Sequence, residues 1–249
     1  ENADILAVEC DITTVSTNFT AQLKQLENMY YDDGTTIKDH LSPEVYDGIT
    51  DYVESCGIDI KNFETFRLWA LSSQMETLAL QQSDLKINNG IDAYLLNKAH
   101  DDKKEIYEVE SVDFQLDMLI NMSDEIYEAM LSSYNAETKD DMIKLLEDTY
   151  QAWAKGDYDF LAESNDINVS IKQAEEAGEP LTDKQIELLT DYNKQLLFDR
   201  NITMKNAVEE LLKGDKDVFY VVGVAHFAGE GGIIDLLEKD GYTVTKLEY

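Results

Sequence analysis

A chain of 249 residues with 43% hydrophobic composition is long enough to bury a sizeable core, as one large domain or two small ones. Its 20 basic and 52 acidic residues give a formal charge of -32, a field that repels nucleic acid and anionic membrane surfaces and so excludes nucleic acid as a partner. No apolar run approaches the ~20 residues that a bilayer-spanning helix needs, so no transmembrane segment is expected in this chain.

Asp4-Ile5-Leu6-Ala7-Val8 is a short buried-strand pattern followed at once by Glu9. Thr17 to Tyr30 then keeps helical spacing through Phe19, Leu23, Leu26 and Tyr30, and a polar turn at Asp32-Asp33-Gly34 follows. Leu41-Ser42-Pro43-Glu44 predicts a helix start: Ser42 accepts from the first free amides, Pro43 suits the first helical position, and Glu44 favours the positive end of the dipole. Val45, Ile49, Val53 and Cys56 make its apolar face and Gly57 ends it. A second helix is expected to carry Phe63, Phe66, Trp69, Ala70, Leu78 and Ala79. Asn88-Asn89-Gly90 breaks the chain, and Asp92 caps a third helix through Leu95, Leu96 and Ala99.

Glu105-Ile106-Tyr107-Glu108-Val109 alternates like a half-buried strand and runs into Glu110. From Phe114 to Ser164 the pattern is helical, with Met142, Leu145, Leu146, Thr149, Tyr150 and Trp153 as the best face and Gly156 as its stop. Asp166 to Pro180 is polar and irregular, a surface loop or a partly helical one. Thr182-Asp183-Lys184-Gln185 is a capping-box pattern opening a long helix to Lys213, with Gly214 behind it. Its stripe reads Leu189, Tyr192, Leu196, Arg200, Met204, Ala207 and Leu211. Arg200 therefore sits on the apolar side, where either Glu9 and Glu110 pair with it or a slight rotation lets it snorkel to solvent.

The run of Val, Phe and Tyr that follows Asp217 and precedes Gly223 reads as a strand buried on both faces, the habit of a parallel sheet covered by helices. Gly223 turns the backbone and His226 falls just beyond the strand's carboxyl end, the edge at which open α/β sheets bind ligands. Gly229-Glu230-Gly231-Gly232 leads into a helix through Ile233, Ile234, Leu236 and Leu237, Gly241 stops it, and Tyr242 to Tyr249 reads as a last strand. Three separate strand ends thus deliver Glu9, Glu110 and His226. Each glutamate taken alone reads as a solvated loop residue of an acidic chain; their common placement raises the functional reading. One imidazole and two carboxylates at a sheet edge could hold a divalent cation with open positions, activate its water, and use Arg200 to stabilise an oxyanion. His226 is the metal ligand in that scheme, and the ligand and base roles of Glu9 and Glu110 stay open. His40 and His100 receive no site role, and Cys10 and Cys56 read as small buried thiols, with pairing in an oxidising compartment the other option.

In order along the chain, Ala7-Val8-Glu9-Cys10-Asp11, Ile37 to Pro43, Gly90-Ile91-Asp92, Val109-Glu110-Ser111, Arg200-Asn201, Gly223-Val224-Ala225-His226 with Gly229 and Gly232, and Gly241-Tyr242-Thr243-Val244 resemble the motifs of the TraB/GumN family, which includes the Tiki-type metalloproteases. That resemblance implies an α/β fold, a small mostly buried sheet with a large, predominantly helical insertion, organised as one domain over 1–249 with helical regions about 15–103 and 113–214 between the strands. It implies a metal-dependent hydrolase, with a peptidase acting on a peptide or protein as the leading activity and Glu9, Glu110, Arg200 and His226 as its site. It also implies an extracellular or surface-anchored setting. The family carries two Gly-x-x-His motifs and this chain matches the second, so the first is expected upstream of Asp4 on strands that this chain lacks. Metal binding by the chain as given is accordingly expected to be weak or absent. The alternative is a surface module that captures a peptide or pheromone without turnover.

Overall fold

The computed structural model describes residues 2–86, 90–178 and 180–247. The chain divides into two compact units, the first comprising Glu1–Thr13, Ile91–Ser111 and Gln151–Tyr249, the second Thr14–Gly90 and Val112–Tyr150.

The first unit is built on a parallel sheet in the order β2-β1-β3, with β1 at Ile5–Val8, β2 at Glu105–Glu108 and β3 at Val218–Val221. Ile5 pairs with Glu105 on one side and Val218 on the other, and Val8 with Glu108 and Val221, so all three strands end level. β1 is buried at all four positions, which explains its unbroken apolar run. Leu6 and Val8 pack under Leu96 and Ala99 of the Ile91–Asp101 helix. The opposite layer is Met204 of the Asp199–Leu212 helix with Val222 and with Ile233 and Leu237 of the Ile233–Lys239 helix. The fold is therefore a small α/β sandwich whose chain is otherwise mostly helical.

The expectation that Val218–Val221 is buried on both faces does not hold. The central strand is β1; β3 lies at the side of the described sheet, and Phe219 is 52% exposed. The last-strand expectation also fails as far as it can be followed, since Tyr242 to Leu247 forms no strand; Glu248 and Tyr249 lie outside the described residues. Asp166 to Pro180 resolves into a helix, Ile167–Ala177, capped by the Asp166 side chain on the Asn168 N–H and closed by left-handed Gly178. The capping box at Thr182 forms with Gln185, and the long helix that it opens is three pieces: Asp183–Asn193, a π-helical turn at Lys194–Phe198, and Asp199–Leu212.

The second unit is helical. Asn18 caps Phe19–Met29 by accepting from the Ala21 N–H. Only Ala21 of that helix is buried, and Phe19 and Leu26 remain exposed despite their helical spacing. Pro43–Ser55 begins with proline as expected and buries Ile49, Tyr52 and Val53, but Ser42 makes no side-chain cap; its backbone N–H instead donates to Glu128 Oε1 at 2.8 Å. The second predicted helix is shorter than its apolar residues suggested. Phe63 follows a single 3-10 turn, Phe66 bridges to Tyr30, and the helix proper is Leu68–Gln82. The break at Asn88-Asn89 lies outside the described residues. Asp92 sits inside the first turn of the next helix rather than before it.

Candidate functional site

The level strand ends decide what meets at the sheet edge. Beyond β1 and β2 the ladder continues for two more bonds, Val109 N–H to Val8 O at 2.9 Å and Glu110 N–H to Glu9 O at 2.8 Å, which fixes the two glutamates side by side. Opposite them, the Gly223 N–H donates to Glu9 Oε1 at 2.7 Å as β3 gives way to the short Val224–Phe227 helix. A Cβ at Gly223 would stand 3.2 Å from that same oxygen and 3.7 Å from His226 Cδ2, so the glycine is what lets the turn approach both side chains.

Arg200 enters from the helical layer and is 7% exposed. Its Nε donates to Glu110 Oε1 at 2.8 Å, one terminal nitrogen to Glu110 Oε2 at 2.8 Å and Glu9 Oε2 at 2.7 Å, and the other to the Leu196 carbonyl at 2.9 Å. Burial pulls the Arg200 pKa down, but the bonds and charges of Glu110 and Glu9 outweigh it and hold the group above its ordinary value. The snorkelling alternative is thereby set aside. A buried cation shared between two carboxylates is tolerable only when its hydrogen bonds are satisfied, and four of them are made here.

His226 is 3% exposed, and its Nε2 lies 3.9 Å from Glu9 Oε1. Its Nδ1 faces Asn201 Oδ1 at 2.6 Å, while Asn201 Nδ2 donates to the Gly231 carbonyl at 2.9 Å. Because the amide nitrogen is already committed to Gly231, the oxygen must accept from the ring, which places the proton on Nδ1 and the lone pair of the neutral imidazole on Nε2. Burial lowers the His226 pKa, the Arg200 charge lowers it further, and Glu9 and Glu110 oppose both.

Glu9, Glu110, Arg200 and His226 are therefore in one cluster. Asn201, 1% exposed, is the member that residue-by-residue reasoning left out of the site. Its signal was present: it is a polar residue three positions before Met204 on the apolar side of its helix. The remaining histidines lie elsewhere, His100 Nε2 against Asp11 Oδ2 at 2.7 Å and His40 stacked on Tyr31. Cys10 and Cys56 form no disulfide; Cys10 is buried and Cys56 half-buried, and burial with the charge of Glu9 pushes the Cys10 thiol up to about 11, leaving it unreactive.

Whether this donor set suits the expected divalent cation can be tested on its geometry. A catalytic zinc-type centre takes three protein ligands and water. His226 Nε2 and Glu9 Oε1 are two donors, while both oxygens of Glu110 are held by Arg200. The described residues contain no group of three histidine, cysteine, aspartate or glutamate side chains placed to hold a metal, so they do not fit a complete centre.

At its carboxyl edge the small parallel sheet gathers an Arg-bridged glutamate pair and a Gly-x-x-His histidine, which makes this an α/β protein with its candidate site at the strand ends. The TraB/PrgY/gumN family profile matches residues 1–246, and the chain belongs to that family. It is 24% identical over 241 residues to the uncharacterized protein YbaP of Escherichia coli (strain K12), covering 95% of this chain and 78% of that protein. It is also similar to the metalloprotease TIKI homolog of Nematostella vectensis, 29% identical over 184 residues, 67% of this chain and 38% of the relative. Metalloprotease TIKI2 of Xenopus tropicalis is 34% identical over 82 residues, 32% of this chain and 14% of that protein. No solved structure matches. No helix among the described residues is long and apolar enough to cross a membrane.

Proposed function

We propose that this chain is a hydrolase acting on a peptide bond, with His226, Glu9, Glu110 and Arg200 as its site. The observation that carries the reading is the His226 ring, buried and fixed by Asn201 so that an unprotonated Nε2 faces Glu9 Oε1, the glutamate oxygen that accepts from the Gly223 N–H rather than from Arg200. Two similar proteins named as metalloproteases support the reaction class.

On the chain's own groups, Nε2 is a base whose neutral form is protected by burial and by the Arg200 charge. Glu9 Oε1 faces it and can accept a hydrogen bond from the same water. Arg200 fixes both carboxylates rather than reaching outward, so its contribution is to hold Glu9 in register with His226. His226 Nε2 is the atom offered to a divalent metal, and with Glu9 Oε1 it makes two donors, short of a complete centre.

The test is turnover of a quenched-fluorescent peptide pool by the purified protein, with and without added zinc, manganese or cobalt, beside His226→Ala. Cleavage lost in His226→Ala supports the proposal. Peptide retained without cleavage under every metal condition overturns it in favour of a capture module for a peptide or pheromone. An extracellular or surface-anchored setting is part of the same proposal, resting on family resemblance.

A further inference from the structure

Beside Asn201, the partner of the His226 Nδ1, the first unit forms an open-sided cavity of about 530 Å³ between the Gly229–Gly231 loop, the π-helical turn and the segment around Asn165. Asn201, which holds the imidazole, forms part of its wall. We propose that this cavity is a binding subsite for a guanidinium side chain of a peptide, an inference that rests on the peptide-directed reading above.

Three features of the wall select that chemistry. Glu163 and Glu230 both line the cavity; the Glu163 carboxylate has no hydrogen-bond or ion-pair partner among the described residues, and Glu230 lies near enough to Lys239 for its charge to help raise the lysine pKa without bonding to it. The lysine that also lines it, Lys239, is held by Asp235 at 2.8 Å. The negative charge is thus available to an incoming cation. Phe198, 39% exposed, offers an aromatic face, on which a planar guanidinium stacks better than a compact ammonium. Asn193 adds a carboxamide that can serve a peptide amide, and Asn165, whose Nδ2 donates to the Ala225 carbonyl at 3.3 Å, has its oxygen to offer to a peptide N–H. The volume lies in the range of pockets that enclose a ligand of a few residues, and Leu197 supplies an apolar wall for the alkyl stem. The π-helical turn that carries Leu197 and Phe198 also supplies the Leu196 carbonyl bound by Arg200, so an occupied cavity touches the same turn that orients the site. Gly231 permits this: a Cβ there would meet Phe198 Cδ1 at 3.0 Å and push the ring out of place.

The probe is Nα-acetyl-L-arginine N-methylamide titrated into the intact chain, followed by NMR of the histidine ring nitrogens, with the citrulline analogue as the uncharged control. Saturable binding is expected, with the citrulline compound about tenfold weaker through loss of charge and stacking. Glu163→Gln and Glu230→Gln, both exposed and safe for folding, should each weaken binding about fivefold, the scale of a partly exposed charge pair. The His226 ring resonances should move on binding, and should cease to respond in Asn201→Leu. Equal binding of the citrulline analogue, unchanged binding by both glutamine variants, or no saturable binding overturns the subsite. Arginine-selective binding without any peptide turnover would instead overturn only the hydrolase reading, so the two failures are distinguishable.

Discussion

His226 Nδ1 and Asn201 Oδ1 stand 2.6 Å apart, both residues buried, and the Asn201 amide is oriented by its second bond to the Gly231 carbonyl. One carboxamide thereby decides which nitrogen of the imidazole is basic. Replacing it by carboxylate, Asn201→Asp, puts an anion on the Nδ1 proton and should raise the His226 pKa. An NMR titration of the His226 Cε1 proton reads this directly; an unmoved midpoint would show that Asn201 does not set the ring's protonation.

The depressed pKa of His226 also makes stability depend on pH. Its folded value lies below the ordinary 6.5, so its contribution is fully present above 6.5 and is lost as pH falls through the folded value. In that window the unfolded chain takes up a proton that the folded chain refuses. Urea melts at pH 8, 6 and 5 should show the parent losing stability that His226→Gln does not lose, and any peptide hydrolysis should keep its acid limb below 6.5. Parallel pH slopes for the two proteins would count against a buried neutral imidazole.

The sheet edge was legible because strand ends announce themselves. Apolar runs stopping at Glu9 and Glu110, and at Gly223 before His226, need only a parallel register to converge, and Arg200 on an apolar helix stripe called for carboxylate partners. What the sequence could not fix was which strand is central. Ile5–Val8 and Val218–Val221 both read as buried runs, yet β1 alone takes the middle, because a four-residue strand's neighbours are set by packing on the rest of the chain. The predicted helix through Phe63 and Phe66 failed for a similar reason: aromatic spacing alone does not distinguish a helix from a turn whose rings pack edge-on, as Phe63 and Phe66 do at 5.6 Å. The Ser42 cap gave way to Glu128, a partner 86 residues away that local pattern cannot see.

Gly232 is held by contact rather than by backbone angle. A Cβ there would lie 2.6 Å from the Phe227 carbonyl oxygen and 2.8 Å from that of Ala228, and backbone cannot swing aside as a side chain can. Gly232→Ala should cost about 1–3 kcal/mol by forcing the loop apart, and it should displace Gly231 and so loosen Asn201. A denaturant melt within about 0.5 kcal/mol of the parent, the range of neutral surface changes, would show that the loop adapts freely.

Arg200 gives the sharpest stability test, because its worth and the cost of its loss differ. The side chains of Glu110 and Glu9 are 3% and 24% exposed, and both meet the one guanidinium. Arg200→Met fills much of the volume but leaves two carboxylates facing each other without a cation, which should cost about 3 kcal/mol or more. The same argument says that the cost belongs to the abandoned carboxylates, not to a missing contact. Adding Glu110→Gln removes the more buried of the two charges, so the double variant should recover part of the loss, a coupling of about 1 kcal/mol or more in a double-mutant cycle. Additive losses would mean that the carboxylates find other partners when Arg200 is gone, and a single-variant loss below about 0.5 kcal/mol would place the guanidinium in water.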